Sequence, residues 1–281
     1  MNSIKEIFEN AISIKADKIT KIGGMTNVNY LVTCANKCYV LRLPLKSANK
    51  IVDRKRESYI ENIIMNENIS AKCVYFDNNS GVKITEFIKA KTLNFTNIQA
   101  NFKPVANRLK KLHNSKLDFK YHFNPCDEME KYLKIATKTS LDEFSTSLKL
   151  FYKAWEEVIK INQKYFSSEL IFAPTHGDLV PQNILINGDK ITLIDWEYAG
   201  LNDPCWDLAS FILECNLSKE LESEFLNLYG ISEAQRQKLK FYKDLVDILW
   251  AIWGVAKSDE NGEYLNYARD RINSSLQRNN L

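Results

Sequence analysis

An Asp-x-x-x-x-Asn spacing followed by a second Asp is the pattern in this chain that most directly indicates chemistry. Asp178 and Asn183 form the first part, and Asp195 follows after an apolar run. In phosphoryl transfer, the first Asp orients the attacking hydroxyl and accepts its proton, while the Asn and the second Asp hold Mg²⁺ against the triphosphate. The spacing predicts an ATP-dependent kinase with Asp178 as base and Asn183 and Asp195 as Mg²⁺ ligands. His176, two residues before the base, is interpreted as a structural group that shapes the loop.

A β-hairpin is the element that must bring these groups together. Residues 184–186 and 191–194 are short β-rich runs, and Asn187-Gly188 between them is a strong hairpin signal. Such a hairpin returns Asp195 to the neighbourhood of Asn183.

Upstream of residue 90 the pattern is one of short strands and turns, broken by one helix over residues 53–67. From residue 95 onward, helical periodicity dominates apart from the catalytic hairpin. The sequence therefore predicts an α+β protein of two lobes, with a nucleotide-binding lobe over residues 1–90 and a catalytic and substrate-binding lobe over residues 91–281. The strands predicted in the first lobe cover residues 20–22, 29–34, 38–42, 74–77 and 82–86.

The first lobe is expected to bind the nucleotide. Gly24, Thr26 and Asn27 lie between its first two strands, where a backbone without Cβ atoms can approach phosphate, although an ordinary hairpin turn is nearly as good an interpretation. Arg42, on an otherwise apolar strand, is predicted to neutralise the α- and β-phosphates, with Glu57 on the following helix holding it. An exposed arginine at a strand edge is the alternative. The segment from Glu86 to Ile88 is predicted to be the hinge strand that bonds the adenine edge.

Composition excludes several other classes of protein. The chain has 281 residues, 45% hydrophobic and 26% charged, and 38 basic against 35 acidic residues give a net charge of +3. Nucleic-acid binding has no support in this charge pattern. No apolar run approaches the roughly 20 residues of a membrane span, and the first residues lack the apolar core of a signal peptide, so we expect a cytoplasmic protein without a membrane anchor. The six cysteines show no Cys-x-x-Cys pair and are expected to be reduced.

Two tryptophans suggest a site for a quaternary ammonium group. Trp250 and Trp253 share one face of a predicted helix, and Asp247 lies one turn earlier on that face. A quaternary ammonium has no N–H to donate, so aromatic faces hold it with about 0.5–2 kcal/mol per ring. The same residues also fit an apolar stripe facing the core, and spacing alone does not decide between the two. The opposite wall is expected from the segment beyond Asp195, namely Glu197, Tyr198 and Glu214.

Several segments together resemble the choline/ethanolamine kinase family, and more closely its bacterial choline kinases. The resemblance extends over residues 23–271. It rests on Gly-Gly-Met-Thr-Asn, Tyr-Val-Leu-Arg-Leu, Arg-Glu-Ser, Thr-Glu-Phe-Ile, His-Gly-Asp-Leu-Val-Pro-Gln-Asn and Leu-Ile-Asp-Trp-Glu-Tyr-Ala-Gly. These segments are typical of a wider group that includes aminoglycoside phosphotransferases and thiamine kinases. Two later segments, Trp-x-x-Trp at 250–253 and Tyr-Ala-x-x-Arg at 267–271, narrow the resemblance to the family.

The resemblance implies a protein-kinase-like fold that transfers the γ-phosphoryl group of Mg-ATP to choline. It implies the same base and metal ligands, Arg42 in place of the usual kinase lysine, and a choline head group near Tyr198, Trp250 and Trp253. The family often has Asn where Gly177 stands, which leaves a closer relation to the aminoglycoside group open. Ethanolamine, thiamine or an aminoglycoside are the alternative acceptors, and a nucleotide-binding pseudokinase is the alternative outside enzymes. The oligomeric state is not indicated.

Overall fold

A five-stranded antiparallel sheet forms the first part of the molecule. The computed structural model describes residues 3–142 and 171–279, apart from residues 25, 46, 47 and 68. Met25 of the predicted glycine loop lies outside the described residues. The strands are β1 (Lys18–Gly23), β2 (Asn27–Cys34), β3 (Lys37–Pro44), β4 (Cys73–Phe76) and β5 (Lys83–Glu86). Their order in the sheet is β1-β2-β3-β5-β4, and each strand predicted in this region overlaps one of them.

Helix α3 (Arg54–Asn66) confirms the helix predicted over residues 53–67. It begins after Asp53, whose side chain accepts hydrogen bonds from two backbone N–H groups of the first turn. Two helices that the sequence analysis did not predict precede it, α1 (Ile4–Ile12) and α2 (Ala48–Ile51). Helix α1 packs on the sheet through Phe8, whose ring centroid lies 5.7 Å from that of Tyr39.

Helices make up most of the second part, as predicted. They are α4 (Phe102–His113), α5 (Pro125–Ile135), α6 (Cys205–Glu214), α7 (Lys219–Tyr229), α8 (Glu233–Lys257) and α9 (Glu263–Arg278). Their apolar faces form the larger hydrophobic core, which Ile60 and Ile64 of α3 also join. Helix α3 therefore connects the sheet to the helical core. No helix in the described ranges is long and apolar enough to cross a membrane.

The predicted catalytic hairpin is present. Strand β6 (Lys91–Thr92) pairs with β8 (Ile184–Asn187), which pairs with β9 (Lys190–Leu193). A second, smaller pair was not predicted, namely β7 (Ala173–Thr175) with β10 (Gly200–Asn202). Strands of three residues are too short to show the alternation of apolar and polar residues from which a strand is predicted. The chain leaves the first sheet after β5 and joins the hairpin sheet at β6, so we place the proposed boundary between the lobes at residue 90.

A glycine allows α8 and α9 to approach closely. A Cβ at Gly254 would lie 2.8 Å from the carbonyl oxygen of Tyr264 and 3.1 Å from the ring of Tyr267. This approach brings the aromatic residues of both helices together, because the rings of Trp253 and Tyr264 lie 5.3 Å apart. The helix crossing therefore positions part of the predicted substrate wall.

We predict that Gly254→Ala destabilises the protein although alanine is the better helix former. The new Cβ must displace the α9 backbone, and such overpacking costs about 1–3 kcal/mol, more than the roughly 1 kcal/mol gained in helix propensity. Gly262→Ala is the matched control, since no atom lies within 4 Å of its added Cβ. Urea unfolding measures both variants, and wild-type stability of Gly254→Ala would contradict the close approach.

Candidate active site

The backbone of the catalytic loop is held from behind by one buried carboxylate. Asp207 on α6 accepts hydrogen bonds from the N–H groups of His176 at 2.8 Å and Gly177 at 2.9 Å. The ring of His113 lies 3.0 Å from the same carboxylate. Burial opposes the charge of Asp207, but the hydrogen bond and charge of His113 and the backbone donors lower its pKa. An ionised Asp207 therefore fixes the loop that carries Asp178.

His176 and Gly177 shape this loop rather than contribute chemistry. The Nδ1 of His176 accepts the N–H of Asp178 at 3.3 Å, and its Nε2 donates to the carbonyl of Ile194 at 2.9 Å. Burial lowers the pKa of His176, which favours this neutral tautomer. Gly177 has a φ of +87°, and a Cβ there would lie 2.3 Å from the carbonyl oxygen of Tyr198. A side chain at this position of the present chain would therefore require the loop or Tyr198 to shift.

The three residues predicted for phosphoryl transfer lie together. The side-chain amide of Asn183 donates to the backbone oxygen of Asp178 at 3.0 Å and to its carboxylate at 3.3 Å. The backbone N–H of Ile194 donates to the carbonyl of Asn183 at 3.0 Å, which closes the hairpin. Asp195 follows with a φ of +64°. The hairpin therefore returns Asp195 to Asn183, as the sequence predicts.

The oxygen donors of this centre suit Mg²⁺. Burial, and then the charges of Glu214 and Asp195, hold the pKa of Asp178 well above its usual value, so the centre is short of positive charge. The amide nitrogen of Asn183 is engaged with Asp178, which leaves its oxygen for a metal. Within the described residues, no group of three or more His, Cys, Asp or Glu side chains is placed to hold a metal. Two oxygen ligands with phosphate oxygens are what Mg²⁺ accepts in nucleotide sites.

Arg42 and Glu57 form the predicted ion pair, and the structure shows that it is buried. The two guanidinium nitrogens of Arg42 lie 2.5 and 2.9 Å from the two carboxylate oxygens of Glu57. Burial opposes both charges, but Glu57 raises the pKa of Arg42, while Arg42 and Lys83 lower that of Glu57. Arg42 also lies 3.3 Å from Asp195. A fixed cation therefore lies beside the predicted metal ligand, and its contact with phosphate stays a prediction.

Two further cations on Glu57 were missed by the sequence analysis. Lys83 lies 3.2 Å from one carboxylate oxygen and Arg54 lies 2.8 Å from the other. The sequence carries no clear signal for the first, because Lys83 begins a strand that also contains the polar residues Thr85 and Glu86. For the second, Arg54 precedes Glu57 by three residues and so lies on the same helix face.

Glu197 is the residue whose place differs from the prediction. It was expected in the substrate wall, but it is buried and accepts hydrogen bonds from Thr26 at 3.0 Å, Asn27 at 3.2 Å and Arg54 at 3.2 Å. Gly24, before these residues, has a φ of +122°, and a Cβ there would lie 1.9 Å from the carbonyl oxygen of Asn27. The side chains of Thr26 and Asn27 thus face Glu197, and phosphate binding by this loop stays a prediction that rests on its backbone.

The predicted hinge follows β5. The N–H of Glu86 donates to the carbonyl of Lys72 at 2.8 Å, and that of Phe87 donates to Cys38 at 2.9 Å. In the described part of the chain, the N–H of Ile88 makes no backbone hydrogen bond. This N–H group is therefore able to donate a hydrogen bond to the edge of an adenine ring. That contact also stays a prediction.

The aromatic residues predicted to surround the substrate form one cluster. The ring of Trp250 lies 5.2 Å from that of Tyr198 and 6.1 Å from that of Trp253. Tyr267 of α9, which was not predicted to bind, lies 6.1 Å from Trp253. The indole N–H of Trp253 is buried and has no hydrogen-bond partner among the described residues. The cluster thus contains a polar atom that packing alone leaves unsatisfied.

Glu214 lies at the edge of this cluster with an unpredicted partner. Its carboxylate is paired with Arg271 of α9. Arg271 also lies 3.0 Å from Asp247 and donates to the hydroxyl of Tyr267 at 3.1 Å. A substrate cation at Glu214 would therefore share that carboxylate with a fixed guanidinium.

Comparison with known proteins agrees with this arrangement. The choline/ethanolamine kinase family model matches residues 19–237. Protein LicA of Haemophilus influenzae is 30% identical over 270 residues, covering 90% of this chain and 98% of that protein. The choline kinase LicA from Streptococcus pneumoniae aligns with a TM-score of 0.83 and 28% identity, over 98% of this chain and 97% of that one. A structure of LicA in complex with AMP aligns with a TM-score of 0.81 and 27% identity, over 99% and 98% of the two chains.

The likeness to a choline kinase extends over both the sheet and the helical part, which confirms the predicted α+β, protein-kinase-like fold. The family match includes the glycine loop, the Arg42–Glu57 pair and the catalytic hairpin. The chain therefore belongs to the choline/ethanolamine kinase family and is a phosphotransferase that acts on an alcohol.

Proposed function

We propose that this enzyme transfers the γ-phosphoryl group of Mg-ATP to the hydroxyl of choline and releases phosphocholine and ADP. The observation that carries the proposal is the aromatic cluster of Tyr198, Trp250, Trp253 and Tyr267. It reaches the catalytic loop where the backbone of Tyr198 lies against Gly177, the residue before Asp178. Burial raises the pKa of Tyr198 well above its usual value, and the charge of Asp178 contributes to this rise. Aromatic faces next to the base suit an acceptor whose hydroxyl is two carbons from a trimethylammonium group.

The nucleotide half of the site follows from the fixed charges. Arg42 neutralises the phosphates, and Glu57 keeps its guanidinium in a single orientation, so that little reorganisation is needed when the nucleotide binds. Mg²⁺ bound through Asn183 and Asp195 would offset the charge of the triphosphate. The complex of the similar LicA with AMP supports an adenine nucleotide in this cleft. Because ATP is held inside cells, we place the reaction in the cytoplasm.

The acceptor half depends on Asp178. Its carboxylate orients the choline hydroxyl and takes its proton as the phosphoryl group arrives. The raised pKa of Asp178 suits it to receive that proton. Asn183, which donates to the same carboxylate, holds the base in position.

Ethanolamine is the alternative acceptor within the family. Its ammonium has N–H groups that can donate hydrogen bonds to Glu214 at the edge of the cluster, whereas indole faces offer no hydrogen-bond acceptor. An aminoglycoside carries several ammonium groups and calls for a more acidic pocket, which the Arg271 guanidinium opposes. A pseudokinase is disfavoured because Asp178, Asn183 and Asp195 are all present.

We predict different kinetic defects for the two aspartates. Asp178→Asn should lower kcat by about 10²-fold or more with little change in the KM for ATP, since general-base catalysis contributes roughly 10²–10⁴. Asp195→Asn should also raise the KM for Mg-ATP, because a metal ligand is lost. Asp189→Asn, in the exposed hairpin turn, is the control. Steady-state ADP release measures all three, and a wild-type kcat in either site variant would refute the role given to that residue.

We predict that choline exceeds ethanolamine in kcat/KM by at least about tenfold, with the monomethyl and dimethyl analogues between them. Each N-methyl group buries apolar area worth up to about 0.8 kcal/mol and removes a donor that an aromatic wall cannot satisfy. Trp250→Ala or Trp253→Ala should flatten this series. Phe241→Ala removes another buried ring from α8 and should lower stability without altering the ranking. If wild type prefers ethanolamine, or if the substrate ranking is unchanged in the tryptophan variants, both tryptophans are core residues that do not bind the head group.

A further inference from the structure

A cavity lies between helix α4 and the turn of the catalytic hairpin. It has a volume of about 420 Å³, which is within the range of small-molecule sites. Three cations of α4 line it, namely Lys103, Arg108 and Lys111, and Asp189 of the hairpin turn lies in the facing wall. With three positive charges and one negative charge, the lining carries a net charge of +2.

The three cations of this lining have no countercharge. In the described ranges of the chain, none of them forms an ion pair or a hydrogen bond, and Asp189 is no exception as a partner. Arg108 is half-buried, and burial lowers its pKa without an opposing effect from a described carboxylate. A cation that has lost hydration and gained no carboxylate is stabilised when an anion binds beside it.

The stability of α4 does not explain these cations. The helix contains no Asp or Glu, so no oppositely charged residue one turn away offsets them. Lys103 lies in the first turn, where the helix dipole disfavours a positive charge. Arg108 and Lys111 are three residues apart, and like charges at that spacing repel each other. An anion in the cavity would offset both effects.

The groups around the cavity suit a phosphate monoester. The guanidinium of Arg108 can donate two parallel hydrogen bonds to a dianionic phosphate, and the lysines add point charges. Asn107 adds a neutral amide, and the buried side chain of Ile191 offers an apolar surface. The volume leaves room for an organic group beside the phosphate.

The cavity is separate from the centre of phosphoryl transfer. Asn187 pairs with Lys190 at the turn end of the hairpin, whereas Ile184, next to Asn183, lies at the other end. At about 3.3 Å per residue, strand β8 separates its turn from Asn183 by roughly 13 Å. No residue to which we assign a role in phosphoryl transfer lines the cavity.

We propose that the cavity between α4 and the hairpin turn is a second ligand site, which binds a phosphate monoester through Lys103, Arg108 and Lys111. The phosphate lies against the three cations, and the organic group lies against Ile191. Asp189 in the facing wall favours an organic group that donates hydrogen bonds. A soluble ester and the head group of phosphatidic acid share this chemistry.

The test measures the Kd of glycerol 3-phosphate by calorimetry on the full chain, with Mg-ADP present so that the nucleotide site does not take up the ester. We expect wild type to bind and Arg108→Met to weaken binding by about tenfold or more, because a charge-assisted bidentate contact is lost. Arg108→Lys keeps the charge without the planar fork and should give an intermediate Kd. Lys111→Met removes an exposed cation and should also weaken binding, which keeps the test open should Arg108→Met not fold.

A matched control removes an arginine from another helix. Arg236 of α8 is half-buried and donates to the side chain of Asn227, and it does not line the cavity. Arg236→Met should therefore keep the wild-type Kd. Equal weakening in Arg236→Met, or a Kd that is unchanged in both Arg108→Met and Lys111→Met, would overturn the inference.

Sedimentation with vesicles distinguishes the two sources of the ester. The vesicles consist of phosphatidylcholine with or without phosphatidic acid. Binding of glycerol 3-phosphate supports a soluble ligand. Binding that requires phosphatidic acid and is lost in Arg108→Met, with no binding of the soluble ester, supports a lipid head group. Wild-type protein that binds neither the soluble ester nor the phosphatidic acid vesicles would refute the site.

Discussion

Three buried cations form ion pairs with the carboxylate of Glu57, where the first sheet meets α3 and the catalytic segment. They come from β3, β5 and the start of α3, namely Arg42, Lys83 and Arg54. Removing one partner from a buried ion pair costs about 3–5 kcal/mol, because the remaining charge has lost its hydration. Glu57 therefore helps to position all three cations, and the position of Arg42 decides whether it can meet a phosphate.

The same network continues into the catalytic segment. Arg54 also pairs with Glu197, two residues beyond the predicted metal ligand Asp195. Glu197 in turn accepts hydrogen bonds from the glycine loop. Asp207 holds the other side of the site by bonding the backbone before Asp178. The two sides of the proposed site are thus fixed to one another by buried carboxylates, and phosphoryl transfer requires such preorganisation.

Local signals made much of this arrangement predictable. The hairpin followed from Asn187-Gly188 between two β-rich runs, and the Arg42–Glu57 pair followed from a charge within an apolar strand. The structure places Glu197 against the glycine loop instead of the expected wall. Its partners Thr26 and Asn27 lie about 170 residues away in the chain, and no periodicity reports on such a contact. The pairing of Glu214 with Arg271 was missed for the same reason. Contacts between distant side chains depend on how helices and lobes pack, which a single sequence does not encode in any local pattern.

The most direct test of this account is the ATP dependence of Glu57→Gln compared with Glu61→Gln. Both variants remove a buried carboxylate of α3 that bonds Lys83, but Glu57 alone of the two bonds Arg42. If Glu57 positions the cation that we propose meets the phosphates, Glu57→Gln should raise the KM for ATP and lower kcat by about tenfold or more, with the KM for choline nearly unchanged. Glu61→Gln should keep wild-type ATP kinetics. Folded Glu57→Gln protein with wild-type ATP kinetics would contradict the account.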